Sequence, residues 1–364
     1  MNKNTLQAFG RQLVIPGLAI ATALVVSIPV IGFATDWNWS RIAASYGGLI
    51  DGAFLRGFAW ANTLVAATPL IFTGLALGLG FRSGVFNIGA AGQFLIGATC
   101  AVFVGYAIAL PPGIHLIVCL AAGAIGGGLW GAIPGYLKAH FGSHEVINTI
   151  MFNYLAGFLQ DWLVKNPLKD PAPGVFRTPN ILPSAHLGRF FDRLHWGFPL
   201  ALLTAYAVWW LLQKTTLGFE LSTAGQNPEA ARYAGMHPQR LTVLAMFLSG
   251  LLAGLGGAVQ ILGVDRNMPA TYSGEFGFDA IPVALLGQNH PSGIILAAVL
   301  FGALRNGSDL MQLRSGGLVS KEVIFIVQGV VLLFIAAPTL IRWLYRLKLQ
   351  KTALEETQLT KGWG

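Results

Sequence analysis

The residues able to do chemistry are few, and most stand at the edges of apolar stretches. Glu145, Asp161, Glu275, Asp279, Arg305, Asp309 and Glu322 lie near the ends of long hydrophobic blocks. At such ends a long side chain reaches water and a short one caps a helix. Arg305 is the deepest, well inside its block, and either an ion pair or a place on a solute path accounts for it. His140 and His144 stand four apart beside Glu145, a spacing open to a metal ion. Gly142 interrupts them, however, and the second half of a zinc-protease signature is missing. Solvated or headgroup-facing histidines are the simpler reading, and no metal site is expected. The chain has neither a G-x-S-x-G nucleophile turn nor a P-loop. If ATP drives this protein, another subunit hydrolyses it.

A second group is polar but uncharged: Asn62, Asn87, Gln93, Asn148, Asn153, Gln260 and Gln288. Carboxamides inside apolar surroundings serve as glue between helices. They also suit a pore for a neutral, hydroxyl-rich solute, which needs donors and acceptors without fixed charge.

The elements that must hold these groups follow from composition. Of 364 residues, 54% are hydrophobic and only 10% charged, against a usual charged share of about 25%. Soluble enzymes, nucleic-acid-binding proteins and disordered chains are excluded. The net charge of +8 lies in short flanks and a tail, which points to anionic headgroups. The apolar residues come in blocks near the roughly 20 needed to cross a bilayer. The blocks 13–33, 57–80, 88–110, 113–137, 146–164, 196–213, 241–264, 292–310 and 323–341 read as spans, and 278–287 as a shorter element. Lys3 and Arg11 precede the first block, which is longer than the apolar part of a leader and is read as a span. Cys100 and Cys119 both sit inside apolar blocks, so no disulfide framework is expected.

The predicted fold is therefore all-α and polytopic, with about nine to ten transmembrane helices in one permease domain, 13–341. Residues 1–12 form an N-terminal flank. The basic tail 342–364, with Arg342, Arg346, Lys348, Lys351 and Lys361, favours cytoplasmic termini. The proline-rich loop 165–195 then falls in the periplasm, and the polar loop 214–240 in the cytoplasm.

Two segments break the helix pattern, 81–93 and 269–280. Each is a Gly-rich polar stretch opening abruptly into an apolar helix, with Asn87 in one and Asp279 in the other. Paired broken or re-entrant segments in two halves of a transporter point to inverted repeats flanking the path; capped interfacial loops are the alternative. Gly123, Gly127, Gly131 and Gly135 recur every four residues and read as a ridge for close helix packing. Gly250, Gly254, Gly256 and Gly257 read the same way. In 214–240, Asn227 suits an N-cap, Pro228 a first turn and Glu229 the helix dipole, while Gly235 can end the helix. A small exposed helix there fits a groove on a partner.

Three strings carry a family resemblance. Gly225-Gln-Asn-Pro-Glu-Ala-Ala-Arg-Tyr-Ala-Gly235 resembles the coupling-helix motif of ABC-importer permeases of the branched-chain amino acid/ribose type. Phe86-Asn-Ile-Gly-Ala-Ala-Gly-Gln-Phe-Leu-Ile-Gly97 resembles the substrate-path signature of the nucleoside branch, as does Glu145-Val-Ile-Asn-Thr-Ile-Met-Phe-Asn-Tyr-Leu-Ala156 another of its blocks. The likeness runs from about Leu64 to Leu340. Ala91 stands where that branch often has Glu.

The resemblance implies one permease subunit of a bacterial inner-membrane importer, itself not an enzyme and without cofactor. ATP and magnesium would bind a separate ATPase, a second homologous permease would complete the pore, and a lipoprotein or other periplasmic binding protein would deliver the solute. Gly225, Asn227, Pro228, Glu229, Ala230, Ala231, Arg232, Tyr233 and Gly235 would engage the ATPase. Phe86, Asn87, Gln93, Asn148, Asn153, Glu275 and Asp279 would belong to the substrate path. A nucleoside-like solute leads, with a pentose or other simple sugar second. A gradient-driven transporter is the competing class, and few acids at depth speak against it.

Overall fold

The structure, a computed structural model, describes residues 3–172, 174, 176–272, 274–336 and 344–345. The described chain is helical almost throughout. The helices are α1 (Lys3–Ala34), α2 (Trp39–Ile50), α3 (Ala59–Arg82), α4 (Ala90–Ala107), α5 (Ile114–Phe141), α6 (Glu145–Lys165) and α7 (Gly197–Lys214). There follow α8 (Thr216–Gln226), α9 (Pro228–Tyr233), α10 (Pro238–Gln260), α11 (Glu275–Leu286), α12 (Pro291–Arg314) and α13 (Val323–Ala336). A hairpin of β1 (Arg189–Phe191) and β2 (Leu194–His195) lies between α6 and α7.

Each of the ten expected apolar elements is helical over most of its described residues, and 337–341 of the last one lie outside those residues. Five are long and apolar enough to cross a membrane: α3, α4, α5, α12, and α10 with the π-helical turn that extends it to Asp265. Ile20–Ala34 and Val323–Phe334 are shorter apolar helices. α6 and α7 are less apolar, since α6 carries Asn148, Asn153, Gln160 and Asp161 and α7 ends in Gln213 and Lys214. Besides the hairpin, three helical features were not expected. α2 is capped by the Asn38 side chain, which accepts from the N–H groups of Ser40 and Arg41. α8 is capped by Thr215. The N-terminal flank is helical from Lys3. The basic tail lies outside the described residues apart from Leu344 and Tyr345.

The core is a seam of bare backbone, where α5 packs along α10 and α4 lies against both. The four-residue glycine ridge of α5 is the reason. A methyl group on Gly127 would sit 2.6 Å from the Cα of Gly254, and one on Gly131 2.6 Å from the carbonyl of Met246. On Gly123 it would meet the Cβ of Ala258 at 2.6 Å. Lipid gives no hydrophobic drive for helices to associate, so such close approach supplies the attraction through dispersion.

The loop 165–195 is irregular, as expected, but docked. Thr178 and Leu187 donate backbone N–H groups to the carbonyls of Met268 and Leu262, each at 2.9 Å. Leu182 donates to Gly105 at 2.8 Å. The hairpin ends in fully buried His195, whose Nδ1 accepts the Gly197 N–H at 3.1 Å. Its Nε2 meets no hydrogen-bond partner among the described residues.

Two predictions arise here. Gly127→Val forces the seam apart and lowers stability by about 1–3 kcal/mol or more, measured as thermal unfolding in mild detergent. Gly157→Val is the control, because nothing lies within 4 Å of a Cβ there. The second concerns His195. Burial, and then the charges of Arg266 and Arg189, push its pKa down from 6.5 to about 4. The neutral ring's stabilising contribution is thus full above pH 6.5 and lost as pH falls through about 4, because the unfolded chain binds the proton first. Amide exchange across 187–197 is expected to speed up over that window, and His195→Phe to abolish the dependence. A flat exchange profile in the unaltered protein contradicts this.

Candidate functional site

The first helix break is held by carboxamides. α3 ends at Arg82, and Gly84 turns the chain with φ +69°, a left-handed conformation open to glycine at little cost. Asn87 follows, fully buried. Its Nδ2 donates to Gln93 Oε1 at 2.9 Å and to Ser249 Oγ at 2.8 Å. Its Oδ1 accepts from the Gly89 N–H at 2.9 Å and from Gln93 Nε2 at 3.2 Å. The Ser249 hydroxyl in turn donates to the carbonyl of Ala76 at 2.6 Å. From α6, Asn153 accepts the Gly92 N–H at 2.8 Å and donates to the Ile88 carbonyl at 2.9 Å. These side chains supply the partners that the broken backbone lacks.

Five of the seven residues expected on the path lie in or near this scaffold. Asn87, Gln93 and Asn153 spend their polar atoms on it. Asn148 donates to Ser143 Oγ at the start of α6. Phe86 is half-exposed and stacks on Phe81, with ring centres 4.7 Å apart.

The second break, between α10 and α11, returns to the first. A methyl group on Gly274 would lie 2.9 Å from the carbonyl of Ala91, and Phe276 meets Phe94 at 5.5 Å. The two irregular segments of the sequence thus touch, first turn of α11 against first turn of α4. The remaining two path candidates, Glu275 and Asp279, sit on α11 and both bind Arg305 of α12. Nη2 meets Glu275 Oε2 and Nη1 meets Asp279 Oδ2, each at 3.2 Å. The guanidinium also lies over the Phe276 ring, 4.5 Å from its centre.

Beside this group is a cavity of about 500 Å³, lined by Asn62, Gln260, Phe276, Arg305 and Asn306, with Arg189 and Arg193 from the hairpin. A further cavity of about 510 Å³ shares Asn62, Arg193 and Asn306 and reaches Arg56, Asp192 and Asp309. Phe191 of the hairpin packs on Phe58 and Trp60 at 5.2 and 4.9 Å. Asn62, Gln260 and Arg305 were singled out from the sequence. Asn306, Phe276, Arg189 and Arg193 were not, since only the fold brings the hairpin and α12 to one space.

At the other end of α10 lies the small exposed helix. Asn227 caps α9 as expected, its Oδ1 accepting the Ala230 N–H at 3.0 Å. Pro228 opens the first turn and Glu229 pairs with Arg232 at 3.2 Å. Ala231 is buried, whereas Tyr233 is 93% exposed. Gly235 takes φ +81° with open space around it. Flanking grooves of about 490 and 570 Å³ are lined by Phe219, Met236, His237 and Arg240 and by His140 and Arg232. Gly225, at the end of α8, packs backbone to backbone on Gly84, and a methyl on either would meet the other at 2.5 Å. Val85, Leu221, Leu241, Ala245 and Met246 form a small apolar cluster around that contact.

Removing the Asn87 carboxamide strands the Gly89 N–H and the Gln93 amide. Asn87→Ala is expected to cost about 1–3 kcal/mol of stability, read from thermal unfolding of the purified chain. Unchanged stability contradicts the scaffold role.

The comparisons with known proteins fit this architecture. The family described as branched-chain amino acid transport system / permease component matches residues 59–336. The guanosine ABC transporter permease protein NupP of Bacillus subtilis (strain 168) is 42% identical over 309 residues, covering 83% of this chain and 88% of the relative. The nucleoside ABC transporter permease protein NupB of Lactococcus lactis subsp. cremoris (strain MG1363) is 32% identical over 374 residues, covering 97% and 98%. A glucose ABC transporter permease protein of Haloferax volcanii is 32% identical over 303 residues, covering 80% and 79%. No solved structure matches the chain significantly. The chain, all-α and membrane-spanning, belongs to the branched-chain amino acid transport system permease component family.

Proposed function

We propose that this chain forms half of the membrane path of an ATP-driven importer for nucleosides. The observation that carries the reading is the capped, outward-standing helix α9, joined by Gly225 to the first helix break at Gly84. The names of two relatives, a guanosine and a nucleoside permease, support the solute class. A simple sugar is the second reading, supported by the glucose permease among the relatives.

In the proposed assembly a separate ATPase, which holds ATP and magnesium, takes Asn227–Gly235 into a groove. A second homologous permease completes the pore, and a lipoprotein or other binding protein delivers the solute at the opposite face. The hairpin and the cavity beneath it face that delivery side, the periplasm. The helix α9 and both termini face the cytoplasm, and the chain resides in a bacterial inner membrane. Closure of the ATPase moves α8 and α9. Gly225 and Gly84 have no side chains to yield, so the displacement reaches the break carrying Asn87, and the path changes its open side. No covalent step takes place on the permease.

The test is reconstituted uptake of guanosine and of glucose by the chain with the partners that copurify with it. Guanosine uptake that ceases without ATP, even with ion gradients maintained, is the expected result. Gly235→Arg places a bulky charge beside the docking helix. It is expected to lower ATP-driven uptake at least about tenfold; the side chain meets open space, and the cost of a non-glycine residue at φ +81° stays local to the turn after α9, so the chain remains folded and inserted. Gradient-driven uptake without ATP, or full uptake by Gly235→Arg, counts against the reading.

A further inference from the structure

We infer that Arg305 is a stacking plate for the solute's planar base, and that it sets a preference for purine over pyrimidine. The inference rests on the nucleoside reading above. Two acids hold the guanidinium by its nitrogens, Glu275 and Asp279, each at 3.2 Å. Those bonds run in the guanidinium plane, so they fix its orientation and compensate its charge. The guanidinium carbon lies over the Phe276 ring, 4.5 Å from the ring centre, and Phe94 supports that ring in turn at 5.5 Å. The Arg305 side chain is nevertheless 32% exposed, and it lines the 500 Å³ cavity. The part of the guanidinium that Phe276 does not cover is what opens onto that cavity.

A clamped guanidinium plane is a good platform for a heteroaromatic ring and a poor one for a sugar. The edges of the cavity agree with this. Asn306 spends its Nδ2 on three acceptors, Gly52, Ala59 and Thr63, and Gln260 spends its Nε2 on Asp265. With their nitrogens so engaged, the side-chain oxygens are the groups these two residues have left to accept from N–H or O–H groups of a solute. A charged hole would repel or trap an ionic solute, whereas a neutralised plate attracts by overlap, and overlap grows with ring area.

The test compares guanosine with uridine in the full importer, reconstituted with its ATPase, second permease and binding protein. Arg305→Lys keeps a cation for Glu275 and Asp279 but has no plane. Guanosine uptake is expected to fall about tenfold, and uridine uptake about threefold, with the ATPase still copurifying. Equal losses for the two nucleosides, or no loss, overturn the inference. If Arg305→Lys fails to assemble, Phe276→Leu decides, since it keeps both ion pairs and removes the backing ring. A purine-biased loss then supports the plate, and an even or absent loss overturns it. An unaltered importer that moves neither nucleoside is a different outcome, which removes the nucleoside reading and this inference with it.

Discussion

A broken helix inside a membrane leaves N–H and C=O groups without water to bind, and each costs several kcal/mol if orphaned. The Asn87 carboxamide answers that constraint for the first break. It satisfies the Gly89 N–H, locks Gln93 and holds Ser249, and through Ser249 it reaches the carbonyl of Ala76. Asn153 does the same from α6. Four helices, α3, α4, α6 and α10, are thereby tied to one short turn. α4 begins where it does because this network replaces the missing turn of helix. The second break depends on the first, since α11 starts against Ala91.

The glycine seam converts this local node into a stiff body. Where α5 and α10 touch through backbone, there is no rotamer to change and little room to slide. The same holds for Gly84 against Gly225. A contact between two side chains absorbs a displacement of about an ångström by changing rotamers, whereas a backbone contact transmits it. On the proposed reading this is the physical reason for glycine at both positions, and Gly84 has the further requirement of its positive φ.

Five of the nine expected spans were legible as long apolar helices, because crossing a bilayer demands a length of apolar residues. α9 was legible as well, since cap, proline, acid and terminal glycine are local signals with local causes. α2 and α8 are amphipathic and shorter, so no length requirement marks them. Asn87 was legible as a special residue, but its partner Ser249 lies 162 residues away, and a sequence does not distinguish a carboxamide that lines a path from one that mends a helix. Arg305 shows the same limit. Its acids lie 26 and 30 residues before it, and only the return of α11 against α12 reveals that they share one guanidinium. The hairpin is too brief for an alternation pattern, so Arg189 and Arg193 carried no signal of a cavity.

Charge explains how the cavity and the core coexist. An unpaired arginine at depth would draw water or lipid headgroups into the protein and favour anions. Paired with Glu275 and Asp279, Arg305 adds rigidity without a net positive field, and the carboxamides of Asn62, Gln260 and Asn306 complete a polar but uncharged lining. Arg189 and Arg193 of the hairpin, which form no ion pair among the described residues, also line the cavity, and the hairpin itself rests on Phe58 and Trp60. At the rim the arginines Arg56, Arg189 and Arg193 outnumber the acids Asp192 and Asp309. Within, Arg305 is paired with two acids, so a small anion finds no uncompensated positive charge on it. The solute that loses least on entering is one that is itself uncharged, carries hydrogen-bonding edges and has a flat face to lay on Arg305.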